Sequence, residues 1–205
     1  MKEYKEYGWE NSEFTNAHAY LIRPIIDMLP VDGSPILDLG CGNGAIANFL
    51  IRKGYNVYGT DASIKGIEIA NKINPGHFFV QDFTSDDLPV YLKSITFKTV
   101  ISTEVIEHLY DPKKYVSFIK LILRSGGIII ISTPYHGYLK NLALSIFNKW
   151  DDHHTPLWEG GHIKFWSKKT LSSLLEQNGF KVIGFKGTGR IPFFWKSMIL
   201  LAKKI

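Results

Sequence analysis

Residues 36–45 constrain the fold more than any other part of the chain. They read ILDLGCGNGA, in which an apolar run ends in an acid and glycines then alternate with small residues. This pattern predicts a buried strand, a tight turn and a helix N-terminus, because glycines permit positive φ and let a ligand approach the main chain closely. Gly40, Gly42 and Ala45 also match the G-x-G-x-x-G/A pattern of dinucleotide-binding loops, so the turn alone leaves the ligand open.

The periodicity along the rest of the chain predicts a doubly wound α/β fold. Apolar runs that read as strands occur at 35–39, 56–60, 77–81, 97–102, 128–132, 180–186 and 198–203. Segments with helical spacing occur before the first of these runs, at 16–29, and between later ones, at 45–52, 63–72, 112–124, 138–149 and 167–178. Strands that are apolar on both faces suit a parallel sheet covered by helices, with ligands at the carboxyl ends of the strands.

The 205 residues are enough for a single domain, 1–205, with a sizeable core. Two parts stand outside the strand–helix alternation: residues 1–34, which we predict to be an N-terminal helical cap, and residues 133–166. The second part is aromatic, histidine-rich and irregular, apart from the helical segment 138–149. A long insert after a sheet strand is usually functional, so we expect residues 133–166 to lie on the substrate side.

The composition of the chain predicts its cellular compartment and its relation to membranes. The first ten residues show no signal-peptide pattern, and no apolar run is long enough to span a bilayer. The single cysteine, Cys41, excludes an internal disulfide and fits a reducing compartment. We therefore expect a cytoplasmic protein without stable membrane insertion.

The net charge of +5 is unevenly distributed. Residues 160–205 contain nine lysines and arginines and one acid, which gives this segment +8. Such a segment can face an acidic substrate, a membrane surface or nucleic acid, but a solvated lysine-rich face is the simpler interpretation. Because no nucleic-acid-binding motif is visible, we predict no nucleic-acid partner.

Five motifs in a fixed order resemble the class I S-adenosylmethionine-dependent methyltransferases. They are DLGCGNG at 38–44, Asp61, Asp82-Phe83, EVIEH at 104–108, and Gly126-Gly127. The resemblance covers residues 35–203. It implies a Rossmann-like seven-stranded sheet that is mostly parallel, with an antiparallel final strand and helices on both faces.

The resemblance also implies which residues hold the cofactor, S-adenosylmethionine. Asp38 would stand near its amino group, the turn amides near its carboxylate, Asp61 on the ribose hydroxyls, and Asp82 on the adenine amino group. The full implied set is Asp38, Gly40, Cys41, Gly42, Gly44, Asp61, Ala62, Asp82, Phe83 and Thr103. A nicotinamide dinucleotide would also use the glycines and Asp61, but it does not explain Asp82-Phe83 or the EVIEH segment.

Methyl transfer from a sulfonium asks little of the protein, because the donor is already activated. The enzyme must align the acceptor and exclude water, and it needs a base only if the acceptor must lose a proton. Histidine titrates near neutral pH, and our candidates for the base are His108, His136 and His162. The aromatic residues around the last two can wall an apolar acceptor pocket.

Glu104, Glu107 and His108 form a candidate metal site, since their spacing puts them on one face if the segment is helical. Similar segments in ubiquinone-biosynthesis O-methyltransferases imply a divalent ion, Mg²⁺ or Zn²⁺. In the alternative interpretation, the segment orders the loop after the fourth strand without a metal.

The resemblance implies methyl transfer to a small molecule, most readily at oxygen. The alternatives are transfer to nitrogen or carbon, and a protein that binds S-adenosylmethionine or its product without catalysis. The N-terminal stretch with Tyr4, Tyr7, Trp9 and His18 is expected to close over the cofactor. The apolar segment 191–201 allows peripheral membrane association, although we prefer a buried hairpin there. The oligomeric state is left open.

Overall fold

The computed structural model describes residues 7–82, 87–158 and 160–205. They contain a seven-stranded sheet in the order β3-β2-β1-β4-β5-β7-β6, which confirms the predicted architecture. The strands are β1 (Ile36–Leu39), β2 (Val57–Asp61), β3 (Phe78–Val80), β4 (Phe97–Thr103), β5 (Leu123–Pro134), β6 (Phe180–Thr188) and β7 (Ser197–Lys204).

Strand pairing determines where a ligand can bind. Strand β1 pairs in parallel with β2 on one side and with β4 on the other, so the chain reverses its order across the sheet at β1. Strand β7 runs antiparallel between β5 and β6, as predicted. In open sheets of this kind, ligands bind outside the carboxyl ends of the strands at the reversal point, which here lies between β1 and β4.

Helices cover both faces of the sheet. They are α1 (Asn16–Met28), α2 (Ala45–Arg52), α3 (Ile64–Asn71), α4 (Pro112–Ile122), α5 (Tyr138–Ile146), α6 (Trp150–His154) and α7 (Lys168–Gln177). Short 3-10 turns also occur at Val90–Leu92, between β3 and β4, and at Ile106–His108, between β4 and α4. Helices α1, α2 and α3 bury their apolar side chains in one core, and α4 and α7 bury theirs in a second core. The sheet separates the two cores.

Helix α1 continues through Pro24, although proline usually kinks or breaks a helix interior. Proline has no N–H, so the carbonyl oxygen of Tyr20, one turn earlier, loses its usual helical donor. The hydroxyl of Thr188 in β6 donates to this oxygen at 2.7 Å. The defect in the helix is thereby satisfied by a residue 168 positions away, which ties α1 to the far edge of the sheet.

Two predicted elements are wrong in their boundaries. The helix predicted at 138–149 ends at Ile146, before Asn148 with its positive φ of 50°, and a separate helix, α6, begins at Trp150, outside the predicted range. Strand β5 starts at Leu123, before the predicted start at residue 128, and it includes Gly126-Gly127. Gly126 has φ 70°, and the pairing with β4 jumps from Leu123 to Ile128, so the glycines form an irregular bulge inside the strand.

The segment 191–201 divides into two environments. Ile191 and Phe193 are exposed, whereas Ser197–Lys204 forms β7 and lies hydrogen-bonded between β5 and β6. The second half therefore agrees with the predicted buried hairpin. The alternative interpretation, a segment that inserts into a membrane interface, is wrong for these residues because they lie inside the sheet. None of the helices in the described ranges has the length and apolar character needed to cross a membrane.

Candidate active site

A cavity of about 1360 Å³ opens at the carboxyl ends of the parallel strands, at the reversal point of the sheet. The glycine turn, the acids at the carboxyl ends of β1, β2 and β3, and the start of α1 line one side. Histidines, Lys140 and Trp158 of the segment 133–166 line the other side, together with Arg190 and Lys196. We call the two sides the cofactor side and the acceptor side.

The glycine turn needs glycine for two separate reasons. Gly40 and Gly42 have φ of 83° and 54°, a backbone region that side chains disfavour. A Cβ at Gly40 would also collide with Val105, and a Cβ at Gly42 would lie 2.5 Å from the ring of Trp9. The turn therefore brings its main chain against the EVIEH segment and the N-terminal stretch, as the sequence pattern predicts for a site of close approach.

Asp61 holds the turn in place. One carboxylate oxygen accepts from the N–H of Gly42 and the other from the N–H of Ser63, both at 2.8 Å. The side chain thus joins the loop after β1 to the start of α3, and it lines the cavity. Each carboxylate oxygen offers more than one acceptor direction, so these bonds are compatible with the predicted role toward ribose hydroxyls.

Asp38 is the most unusual group on the cofactor side. Its side chain is 1% exposed, and neither carboxylate oxygen has a hydrogen-bond partner among the described residues. Burial, with a further contribution from the charge of Asp61, raises the pKa of Asp38 to about 7. A buried acceptor without a donor is costly. Asp38 lines the cavity, so a bound ligand that carries a cationic donor can supply what is missing.

The remaining predicted cofactor residues occupy the same side. Ala62, Asp82 and Thr103 line the cavity, and Phe83 lies outside the described residues. Cys41 is buried, and burial raises its thiol pKa well above the ordinary value, so it remains a neutral small residue in the turn.

The N-terminal stretch closes over the glycine turn from residue 7 onward, and Tyr4 lies outside the described residues. Asn43 in the turn donates to the main-chain oxygens of Asn11 and Glu13 at 2.9 and 3.0 Å. Tyr7, Trp9 and His18 all line the cavity. We call residues 7–15 the strap; it is held by the turn that it covers.

We expect Trp9→Ala to weaken S-adenosylhomocysteine binding about fivefold to tenfold, chiefly through faster dissociation. The Trp9 ring packs on Gly42 and helps to exclude water from the turn. Stopped-flow displacement of the bound product measures the dissociation rate. Tyr138→Ala is the matched control, because Tyr138 is exposed and does not line the cavity. An unchanged dissociation rate in Trp9→Ala would contradict a covering role of the strap.

The EVIEH segment is not the helix that its spacing suggested. Glu104 has a positive φ of 53°, and only Ile106–His108 forms a 3-10 turn. The two carboxylate oxygens of Glu104 accept from the hydroxyls of Ser132 at 2.7 Å and Ser197 at 3.0 Å. These bonds compensate the strained backbone, and they direct Glu104 toward β5 and β7 rather than toward His108.

Glu107 and His108 instead meet His162, which comes from the segment 133–166. The closest ligand atoms of the three side chains all lie within 4.8 Å of one another. Glu107 is fully buried, and neither of its carboxylate oxygens has a hydrogen-bond partner among the described residues. Burial and the neighbouring Glu104 carboxylate raise the pKa of Glu107 well above its usual range.

The histidines of this trio are held as neutral rings. Nδ1 of His108 lies 2.9 Å from the carbonyl oxygen of Gly160, which makes Nδ1 the donor and leaves Nε2 with a lone pair. Burial lowers the pKa of His108, and it lowers the pKa of His162 to about 4. Both rings line the cavity and are therefore available as proton acceptors or metal ligands.

His136, the third predicted base, is placed differently. It is 8% exposed and does not line the cavity. Its ring packs between His154, at 5.6 Å between centroids, and Phe165, at 5.1 Å. Burial lowers its pKa to about 3. The structure therefore places His136 behind the wall of the cavity rather than on its surface.

Sequence reasoning missed Lys140 and Arg190, which both line the acceptor side. Lys140 lies in the first turn of α5, and Arg190 lies in the connection between β6 and β7. No local pattern distinguishes either residue from the other basic residues of the chain, because only the tertiary fold brings them together.

The family model of the methyltransferase domain matches residues 14–184 of the chain. The match covers the glycine turn, all the acids of the cofactor side and the segment 133–166. The chain belongs to this family. It is a class I S-adenosylmethionine-dependent methyltransferase, as the ordered motifs predicted. S-adenosylmethionine is its cofactor, and a small molecule is its acceptor.

Relatives of this methyltransferase include the ubiquinone biosynthesis O-methyltransferase of Ruegeria sp. (strain TM1040). The two are 31% identical over 173 residues, which are 82% of this chain and 68% of the relative. The relative from Dinoroseobacter shibae is 31% identical over 164 residues, which are 77% of this chain and 64% of that protein.

Solved structures show the same fold. A methyltransferase from Methanosarcina mazei superposes with a TM-score of 0.68 at 20% identity, over 89% of this chain and 97% of that one. The magnesium protoporphyrin IX methyltransferase from Synechocystis PCC 6803, solved with bound SAH, gives a TM-score of 0.66 at 20% identity. It covers 90% of this methyltransferase and 80% of that chain.

Proposed function

We propose that this methyltransferase transfers the methyl group to a hydroxyl oxygen of a small-molecule acceptor bound on the acceptor side of the cavity. The observation that carries the proposal is the position of His108 at the cavity wall, where Gly160 binds its Nδ1 and leaves Nε2 with a lone pair. A hydroxyl must lose its proton during methylation, and neutral imidazoles can accept it. The names of the relatives, which are O-methyltransferases, favour oxygen over nitrogen or carbon.

On the cofactor side, the buried carboxylate of Asp38 would pair with the amino group of the methionine moiety. The amides of the glycine turn, at the N-terminus of α2, would bind its carboxylate. Asp61 would accept from the ribose hydroxyls, and Asp82 would accept from the adenine amino group. These roles require no rearrangement of the turn, since Asp61 already holds it.

The size of the cavity favours an enzyme over a protein that only binds the cofactor. Ligand pockets usually measure about 300–1000 Å³, and this cavity is larger. Besides the predicted cofactor residues, the lining includes residues from the segment 153–163 and Arg190, Lys196 and Ser197 on the acceptor side. A second molecule beside the cofactor therefore has room to bind.

A divalent metal ion is the alternative to the proton-acceptor role, because an imidazole nitrogen that binds a metal cannot also accept a proton. Glu107, His108 and His162 would hold it, in place of the predicted set Glu104, Glu107 and His108, since Glu104 is bound by Ser132 and Ser197. The unpartnered oxygens of Glu107 and the fixed tautomer of His108 fit a cation such as Mg²⁺ or Zn²⁺. When bound, the ion would lower the pKa of an acceptor hydroxyl.

Calorimetric titration with S-adenosylhomocysteine tests the cofactor assignment, with NAD as the control. We expect micromolar binding of the product, about −8 kcal/mol, and no binding of NAD. A methyl-transfer screen over phenols, amines and carbon acids, with and without EDTA, then tests the acceptor atom and the metal. Methylation of amines alone would contradict the oxygen assignment, and full activity after EDTA treatment would remove the metal from the mechanism.

A further inference from the structure

The acceptor side of the cavity carries more positive charge than methyl transfer requires. Lys140, Arg190 and Lys196 line it, and His153, His154 and His162 lie between and around them. Two histidines can serve as the proton acceptor, but neither the cofactor nor the transferred methyl needs the three cations.

Lys140 is the buried member of the group. It is 6% exposed, and its ammonium donates to the carbonyl oxygens of Tyr135 at 2.8 Å and Lys196 at 3.4 Å. An ammonium has three N–H donors, and these two bonds leave one of them for the cavity. The cost of burying the charge appears in the pKa of Lys140, which burial and the nearby charge of Arg190 lower to about 8.

None of the ion pairs between described residues involves Lys140, Arg190 or Lys196. The ion pairs between described residues are Arg23–Asp27, Lys93–Asp87, Lys98–Asp32 and Lys149–Asp152. The Glu104 carboxylate interacts electrostatically with Lys140, but its two oxygens already accept from serine hydroxyls. Lys196 rests over the ring of Tyr20, 5.4 Å from its centroid, and Arg190 is solvent-exposed. The wall therefore has a net positive charge that a ligand can neutralise.

We infer that the acceptor carries an anionic group, a carboxylate or a phosphoryl group, which Lys140 and Arg190 bind on the acceptor side of the cavity. Both anions offer several oxygens to a lysine and an arginine, and arginine can bind either of them through two parallel hydrogen bonds. The apolar side chains of Leu109, Pro156 and Trp158 also line the cavity and would contact the body of the acceptor. The inference rests on the proposed function, because it assigns a substrate class to that site.

The test uses fragments that differ only in charge. The protein saturated with S-adenosylhomocysteine is titrated with benzoate, phenylphosphonate and benzamide, and binding is followed by protein NMR. We expect at least one anion to bind about tenfold more tightly than benzamide, and the preferred anion distinguishes a carboxylate from a phosphoryl ligand. Equal affinity for all three fragments would overturn the inference.

Variants of Arg190 locate the charge recognition. Arg190→Gln is expected to reduce the preference for the anion threefold to tenfold, and Arg190→Lys should retain most of it. Arg124→Gln is the matched control, because Arg124 is exposed and does not line the cavity. An unchanged preference in Arg190→Gln would overturn the inference.

The cofactor's own carboxylate is the competing ligand for the cationic wall. If Arg190→Gln weakens S-adenosylhomocysteine binding as much as it weakens anion binding, the wall serves the cofactor and the inference is wrong. Unchanged product affinity together with a lost anion preference supports it. Failure of the proposed function would appear separately, as a lack of product binding by the unmodified protein.

Discussion

Asp38→Asn is expected to stabilise the cofactor-free protein by about 2 kcal/mol at pH 8, and to weaken S-adenosylhomocysteine binding at that pH. The pKa of Asp38 is about 7 in the folded protein and about 3.9 in an unfolded chain. The folded state therefore holds an extra proton between about pH 4 and pH 7, and the free energy of unfolding falls as pH rises through this window. Asparagine does not titrate, so the variant loses this penalty.

The size of the gain follows from the same shift. Three pKa units correspond to about 4 kcal/mol, and we expect roughly half of this because the asparagine amide is itself left without a partner. Urea denaturation at pH 5 and pH 8 measures the effect, which should be smaller at pH 5. Asp151→Asn, at an exposed position outside the cavity, is the control. A less stable variant at pH 8 would mean that Asp38 has a partner in the free protein.

Binding should move in the opposite direction. A charge-assisted hydrogen bond to the amino group is worth about 1.5–3 kcal/mol, so Asp38→Asn should weaken product binding about tenfold to a hundredfold at pH 8. Opposite signs for stability and affinity are the specific expectation, because a residue with a purely structural role would lose both together.

His108→Ala is expected to lower kcat about a hundredfold or more while leaving the affinity for S-adenosylhomocysteine within threefold of the original value. His108 lines the acceptor side, it is neutral, and its Nδ1 is bound to Gly160. A positioned proton acceptor contributes about 10²–10⁴ to the rate of such a transfer. Steady-state kinetics on an acceptor from the methyl-transfer screen measures kcat, and calorimetry measures product affinity.

His136→Gln is the matched control for this experiment, because His136 is also a buried histidine with a lowered pKa but lies behind the cavity wall. We expect less than a threefold change in kcat at a temperature where the variant is folded. A large loss in His136→Gln with normal kcat in His108→Ala would reverse the assignment of the two residues.

The parts of the fold set by local sequence were predictable. The strand, turn and helix around Gly40 depend on a short run of apolar residues and glycines, and the acids Asp38, Asp61 and Asp82 lie at or next to the carboxyl ends of predicted strands. These residues reach the cavity because parallel strands deliver their carboxyl ends to one edge.

The acceptor side was not predictable in the same way. Glu104 leaves the helical pattern because Ser132 and Ser197, distant in sequence, bind its carboxylate, and His162 takes its place beside Glu107. Lys140 and Arg190 meet only after α5 and the connection between β6 and β7 have packed. Patterns of spacing carry no information on such contacts, since each depends on segments that are far apart in the chain.

The repaired defect at Pro24 has a consequence for the order of folding. Helix α1 lacks one of its own hydrogen bonds, and Thr188 replaces it only when β6 is in place. α1 also packs on β6 and β7, so its contacts span nearly the whole chain. Contacts of such long range form late, because the intervening chain must first be closed. On the ribosome, α1 would thus be synthesised before the sheet strands but dock after them, and the cavity wall that includes Tyr20 would be completed only after β6 and β7 emerge.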